Sequence, residues 1–443
     1  MVQGDDSVWH RRGLVTRQVM DVQQRRSTWT HDRAPRLLFL GFGDIQRSHG
    51  ARVYLLSFVD ALRETGQAVR AFFLQQIVPG PANTPETIDG TAVSVPPGSR
   101  CAKFIPAIVW RMYELAWANW RAFRVVLADG RKSDACIVVG PGLLLLAPVL
   151  AARYSRLAYI QHGIAEEFLL SGRLGDRIKY WINKALERKF VPRCGSVVVV
   201  SEKMAQYCRR EYGVRNTLLV PCCVHLRRFQ WSDDDRLQMR SALHLTDRFV
   251  FVYSGGAARW QCVSETVEFF RSARARFPNA FLLVLSADIE TWRRTLGTLA
   301  PQDYQVMAVP HADVGRYLRL ADAAFLLRKN SMVNVVSAPV KFAEYLACGL
   351  PVITSPYVGD YSSLTATDRL GILVDPDDAS TWPAALDGLA VLTRDPSTRT
   401  RCRRAAEQLS WEGMAPRLRV ALHGDGPIGD AVEDGCAEPT AEM

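Results

Sequence analysis

Short apolar runs alternate with amphipathic stretches from Arg36 onward, and this rhythm is the dominant signal in the chain. LLFLGFG (37–43) reads as a buried strand ending in glycines. Residues 48–65 follow as a helix with Val53, Leu56, Val59 and Leu62 on one face. AVRAFFL (68–74) predicts a second strand, a Pro/Gly-rich loop spans 78–99, and a Trp-rich helical region covers 101–128. ACIVV, LAYIQ, SVVVVS and TLLVP continue the alternation, and a polar patch at 231–240 separates this half from the next. There FVFVYSGG, AFLLVLS, YQVMAVP, AAFLLR, LPVITS and GILVD again alternate with helical segments. Short apolar strands joined by helices are the pattern of a parallel sheet covered on both faces. The expected fold is therefore α/β, with two doubly wound, Rossmann-like domains facing a central cleft. Ligands in such sheets bind at the carboxyl ends of the strands.

The pattern sets expected boundaries: a tail at 1–35, a first domain at 36–225, a second at 226–408, a crossover helix at 409–423 and an acidic tail at 424–443. The uncharged stretch 135–152 approaches the length of a membrane span, but Gly140-Pro141-Gly142 and Pro148 interrupt it. A strand, a turn and a helix fit it better. No leader segment is evident. Ten cysteines form neither a CxxC pair nor a metal-ligand spacing, so reduced, mostly buried thiols in a cytoplasmic protein are expected. Lys and Arg number 55 against 45 Asp and Glu, a net +10 that suits an anionic partner without choosing one.

Candidate chemistry lies where strands end. The turn at Gly41, Gly43, Ser48 and Gly50 lacks the third small residue and the distal acid of a dinucleotide fingerprint. It remains either a phosphate- or sugar-facing turn or a plain tight turn. Gln161-His162-Gly163 follows the strand LAYI. His162 there is either a satisfied structural histidine or a group that orients substrate, and Glu166 and Glu167 read as caps of the next helix. Gly255 and Gly256, followed by Arg259, suit a diphosphate. In the segment containing Ser337, Pro339, Lys341 and Glu344, a helix places Lys341 beside Glu344. That pair is either a phosphate and ribose site or an intrahelical ion pair. Arg173, Arg177, Lys179, Lys184, Arg188, Lys189 and Arg193 form a basic run with few acids, close to Trp181. A solvated helix face is the plainest reading and a membrane-facing amphipathic surface the functional one; no nucleic-acid motif accompanies it.

The P-x-K-x-x-E-Y-L-A-x-G-x-P-V-I segment (339–353), with the turns at 253–261 and 161–163, resembles the family 4 glycosyltransferases of the GT-B fold. The resemblance spans about 36–423. It implies a nucleotide-sugar donor held without a required metal or cofactor, and transfer with retention at the anomeric carbon. It implies Glu344 on the donor ribose, His162 near the transferred sugar and the glycines at 255 and 256 on the diphosphate. Two positions depart from the family pattern: Val336 stands where a first glutamate is usual, and Gln261 where a lysine is usual. Arg259 and Lys341 are expected to supply the charge. The rival readings are a sugar-nucleotide epimerase and a non-catalytic partner subunit. The acceptor expected is a carbohydrate or a lipid-linked one. The Trp-rich segment and the basic run suggest peripheral contact with an anionic membrane at its cytoplasmic face, and nucleic acid is not expected.

Overall fold

The computed structural model describes residues 36–42, 49–74, 86–88, 91–94, 107–129, 133–230 and 232–423. The expected tails, Gly43 and Ser48 lie outside them, as does the side chain of Arg259.

Eight strands form the first sheet: β1 (Arg36–Phe42), β2 (Ala68–Leu74), β3 (Glu86–Ile88), β4 (Thr91–Ser94), β5 (Ala135–Val139), β6 (Arg156–Gln161), β7 (Ser196–Val199) and β8 (Thr217–Leu219). Their order is β3-β4-β2-β1-β5-β6-β7-β8, and only the β3–β4 pair is antiparallel. That hairpin corrects the expectation of a loop over 78–99. Strands of three and four residues are too short to show a period, although the Asp89-Gly90 between them is a hairpin dipeptide.

The second sheet holds β9 (Phe249–Ser254), β10 (Ala280–Leu285), β11 (Tyr304–Met307), β12 (Ala323–Leu326), β13 (Val352–Thr354) and β14 (Gly371–Leu373). All are parallel, in the order β11-β10-β9-β12-β13-β14.

Helices cover both sheets. In the first half they are α1 (His49–Glu64), α2 (Ala107–Asp129), α3 (Ala147–Arg153), α4 (Leu174–Phe190) and α5 (Glu202–Tyr212). The second half has α6 (Asp233–Ala242), α7 (Val263–Ala273), α8 (Ile289–Leu296), α9 (His311–Leu318), α10 (Met332–Val335), α11 (Val340–Ala347), α12 (Tyr361–Thr367) and α13 (Trp382–Arg394). α14 (Ser397–Gln408) and α15 (Trp411–His423) end the described chain. No described helix is long and apolar enough to cross a membrane; residues 135–152 form β5, a 3₁₀ turn (Pro141–Leu146) and most of α3.

Because both faces are covered, Leu37, Leu38, Phe39 and Leu40 are all fully buried, each by roughly 1.5–3 kcal/mol of transfer free energy. Winding reverses at β1, which lies between β2 and β5, and at β9, which lies between β10 and β12. These switch points place a crevice at the strand ends. β5 ends beside β1 at Gly140, where φ is +92° and a Cβ would sit 2.2 Å from the Phe42 carbonyl oxygen. Only glycine can turn the chain there.

The halves are tied together at several points. Ser201 Oγ donates to the Val336 carbonyl oxygen at 2.7 Å. The Asp360 carboxylate accepts from the backbone N–H groups of Glu202 and Lys203, at 2.6 and 3.3 Å, in the electropositive first turn of α5. Trp411 of α15 packs its ring against Tyr54 and Phe58 of α1, with centroids 6.0 and 5.8 Å away. The eight described cysteines are free thiols, and seven of them are buried.

Candidate active site

The carboxyl ends of β9 and β12 carry the main cluster. Gly255 follows β9 with φ +129°, and a Cβ there would lie 2.7 Å from Lys341 Nζ. The positive φ demands glycine, and its missing side chain lets the Lys341 amine approach. Gly256 comes next, and Tyr253 donates its hydroxyl proton to the Gly256 carbonyl oxygen at 2.6 Å. Ala257 N–H is already bound to Asp288 Oδ2 at 2.6 Å.

Pro339 precedes α11, so Lys341 falls in that helix's first turn and Gly349, at φ +72°, lies just past its end. Lys341 is buried. Its Nζ lies 4.5 Å over the Tyr253 ring and donates to Gln261 Oε1 at 3.0 Å. Gln261, standing where a lysine is usual, here accepts a hydrogen bond from one. Arg328 is the second residue past β12 and is also buried; its Nη1 donates to the Leu327 carbonyl oxygen at 2.9 Å.

Among the described residues no carboxylate lies within ion-pair distance of Lys341 or Arg328. Burial, followed by the neighbouring Arg328, holds the Lys341 amine well below the ordinary lysine range, with Glu344 opposing. Burial likewise lowers Arg328. Two desolvated basic groups with no ion-pair contact among the described residues carry charge unfavourably until an anion arrives.

Glu344 lies one turn further along α11, buried, and its Oε1 is 3.1 Å from Nε2 of His311, the first residue of α9. The intrahelical Lys341–Glu344 ion pair allowed by the spacing is not formed. Ser337 donates to the Asn334 carbonyl oxygen at 2.8 Å, closing the turn between α10 and α11.

The facing half contributes the turn after β6. Gln161 Nε2 donates to the Gly163 carbonyl oxygen at 2.6 Å and to Glu187 Oε1 at 3.2 Å, anchoring the turn to α4. The His162 ring lies 6.5 Å from that of Tyr54, and desolvation lowers its imidazole to about 4. The imidazole is therefore neutral near pH 7. The following 3₁₀ turn (Ala165–Ser171) touches α10, which brings the His162 segment against the elements that lead to Lys341.

Glu166 and Glu167 lie in the first turn of the 3₁₀ helix Ala165–Ser171, at the electropositive end where acids are expected, although neither side chain caps it or α4. Glu166 instead holds Lys184 at 2.9 Å and accepts from Tyr207 at 2.8 Å. Lys184 accordingly leaves the basic run: it is buried between Glu166 and Glu211. Lys179 is paired with Asp176, and Arg188 with Glu211. The period of α4 turns Lys184 inward with Asn183 and Glu187, which composition alone does not show.

Glu187 is buried, and desolvation pushes its carboxyl up to about 7 despite the bond from Tyr212 at 2.6 Å. The native state then holds more protons than the unfolded chain between the ordinary value of 4.5 and about 7. This contribution to stability is present below pH 4.5 and is lost as pH rises through 7. Glu187→Gln should match the parent in denaturant unfolding at pH 5. At pH 8 it should be more stable, by on the order of 3 kcal/mol. Equal midpoints at both pH values would contradict the shift.

The structure thus brings Gly255, Gly256, Ser337, Pro339, Lys341 and Glu344 together around one cleft wall, with His162 on the turn that meets it. Gly50 lies in the first turn of α1 with no atom of the described residues within 4 Å of its Cβ position, so close packing among them does not account for that glycine. Arg328, Tyr253 and His311 received no role from the sequence. Arg328 and His311 each stand just past a strand of the second sheet, and that position was the available signal. Among the described residues no group of three His, Cys, Asp or Glu side chains converges as a cation site.

Two doubly wound sheets sharing such a cleft define the GT-B architecture. Residues 49–223 match the glycosyl transferase 4-like domain, and residues 234–409 match the glycosyl transferases group 1 family. The chain belongs to the GT4-like glycosyltransferases, and is an enzyme of that class. Its fold is similar to that of sucrose-phosphate synthase from Thermosynechococcus elongatus, with TM-score 0.64 and 18% identity over 87% of this chain and 97% of that one. Anabaena HepE, solved with UDP-glucose, gives 0.61 and 14% over 86% and 98%. WaaG, a glycosyltransferase involved in lipopolysaccharide biosynthesis, gives 0.64 and 14% over 88% and 100%. At these identities the likeness establishes the fold. No curated protein sequence matches the chain.

Proposed function

We propose that this glycosyltransferase moves a sugar from a nucleotide-sugar donor to a carbohydrate or lipid-linked acceptor, with retention at the anomeric carbon and without a required metal. The observation that carries the reading is the buried pair Arg328 and Lys341, without a carboxylate partner, beside the Gly255-Gly256 turn. Sugar transfer needs stabilisation of a departing nucleoside diphosphate, and fixed cations in a dry cleft supply it without reorganising. The glycines let the diphosphate approach the backbone. Glu344, with one oxygen held by His311, offers the other to ribose hydroxyl donors. His162, neutral at working pH, serves as a hydrogen-bond partner for the donor sugar and not as a charge. HepE's capture with UDP and with UDP-glucose supports a donor of this class.

The test is a panel of nucleotide sugars incubated with simple and lipid-linked glycan acceptors, with and without chelator. The expected result is nucleoside diphosphate release that depends on acceptor, persists with chelator, and yields a product with the donor's anomeric configuration by NMR. Acceptor-independent conversion of the donor would identify an epimerase. Tight donor binding without turnover would identify a partner subunit.

A further inference from the structure

Twelve of the sixteen exposed large hydrophobic side chains among the described residues lie between Val109 and Trp181, in the first half. α2 shows why this is not ordinary surface. Leu115, Ala118, Ala122 and Val126 form its buried stripe, as one covered face of a helix requires. Met112, Trp120, Phe123 and Leu127 form a second apolar face, roughly a third of a turn around the helix from the first and facing solvent. α4 repeats the feature: Leu174, Ile178 and Trp181 recur at i, i+4 and i+7, with Leu174 75% and Trp181 65% exposed. Both helices pack against the Pro141–Leu146 turn and against each other, so the two stripes are carried by neighbouring helices.

The polar rim of this surface is cationic. Arg124 stacks 5.1 Å over the Trp120 ring. Arg173 and Arg177 stand exposed beside Leu174 and Ile178 and form no ion pair among the described residues. The acids of α4 are spent elsewhere, Asp176 on Lys179 and Glu187 in the interior.

We propose that this α2–α4 face docks on an anionic lipid bilayer. Aromatic and aliphatic side chains enter the headgroup boundary while arginines reach its phosphates, the division of labour of an interfacial helix. Charge decides against a second copy: an isologous dimer would press each cationic rim against its equal. The 3₁₀ segment Ala165–Ser171 links the His162 turn to α4, so docking holds this part of the first half at the lipid surface. The docking stands whether or not the transferase reading of the cleft holds.

The full chain is sedimented with phosphatidylcholine vesicles and with vesicles containing phosphatidylglycerol, at low and high salt. Binding should require the anionic lipid and weaken as salt rises. Arg173→Glu/Arg177→Glu and, separately, Trp120→Ser/Trp181→Ser should each weaken it by roughly tenfold or more. All four positions are solvent-facing, so thermal unfolding and nucleoside diphosphate affinity should stay at parent values. Absence of binding at low salt, equal binding to neutral vesicles, or variants that bind like the parent would each overturn the proposal. Concentration-dependent dimers abolished by the tryptophan variant, without vesicle binding, would assign the face to a second copy instead.

Discussion

Lys341→Met and Arg328→Met are each expected to weaken nucleotide-sugar binding by roughly a hundredfold, about 3 kcal/mol, the usual cost of removing one partner of a buried charged contact. The free protein should respond in the opposite sense. Each cation is desolvated, and each raises the cost of the other's charge, so methionine of similar length should leave unfolding unchanged or move it to higher temperature. Loss of binding joined to retained or increased stability separates an anion site from a structural ion pair, whose rupture lowers both. Affinity should also depend on pH. In the free protein burial depresses Lys341, and a bound diphosphate favours its protonated form, so binding takes up a proton and affinity falls as pH rises. A nucleotide sugar suits the measurement because its diphosphate does not titrate near neutrality. Calorimetry in buffers of different ionisation heat reads the proton directly. An unchanged dissociation constant for Lys341→Met would sink the assignment.

Glu344→Ala should separate the nucleoside from the phosphates. Loss of its carboxylate removes the acceptor offered to the ribose and releases His311, so nucleoside diphosphates should bind roughly tenfold to a hundredfold more weakly. Pyrophosphate, which has no ribose, should lose much less. Its remaining loss reflects the support that Glu344 gives to the charge on Lys341. Equal losses for both ligands would show that Glu344 acts only through Lys341. Unchanged affinity for every nucleoside diphosphate would remove it from the site.

The fold was legible because parallel strands covered on both faces must be nearly continuous apolar runs, and each of the twelve read that way is present. The β3–β4 hairpin was not, since its strands are too short to carry a period. The site was legible where a motif is contiguous: Lys341, Glu344 and Gly349 keep their helical spacing in the sequence. It was not legible where partners come from separate strands. Gln261 looked like a lost lysine, and only the fold brings Lys341 Nζ to it. His311 meets Glu344 across 33 positions, and Arg328 gains meaning only beside Gly255 at the switch of the sheet. Lys184 failed in the other direction, counted as surface charge until the register of α4 turned it inward.

The bonds that join the halves bear on modularity. Val336 stands where a donor-side glutamate is usual in the family, yet its carbonyl oxygen is the acceptor for Ser201, and Asp360 accepts from two further N–H groups at the start of α5, which Ser201 caps. The segment that leads to Lys341 is therefore shaped partly by a helix from the other half. A fragment spanning 226–423 would keep every donor-side residue while losing Ser201 and the helix start that orients Asp360. It would also leave Trp411 without Tyr54 and Phe58. The two halves are thus poor candidates for exchange between relatives: a grafted donor half would arrive with its motif intact and its scaffold left behind.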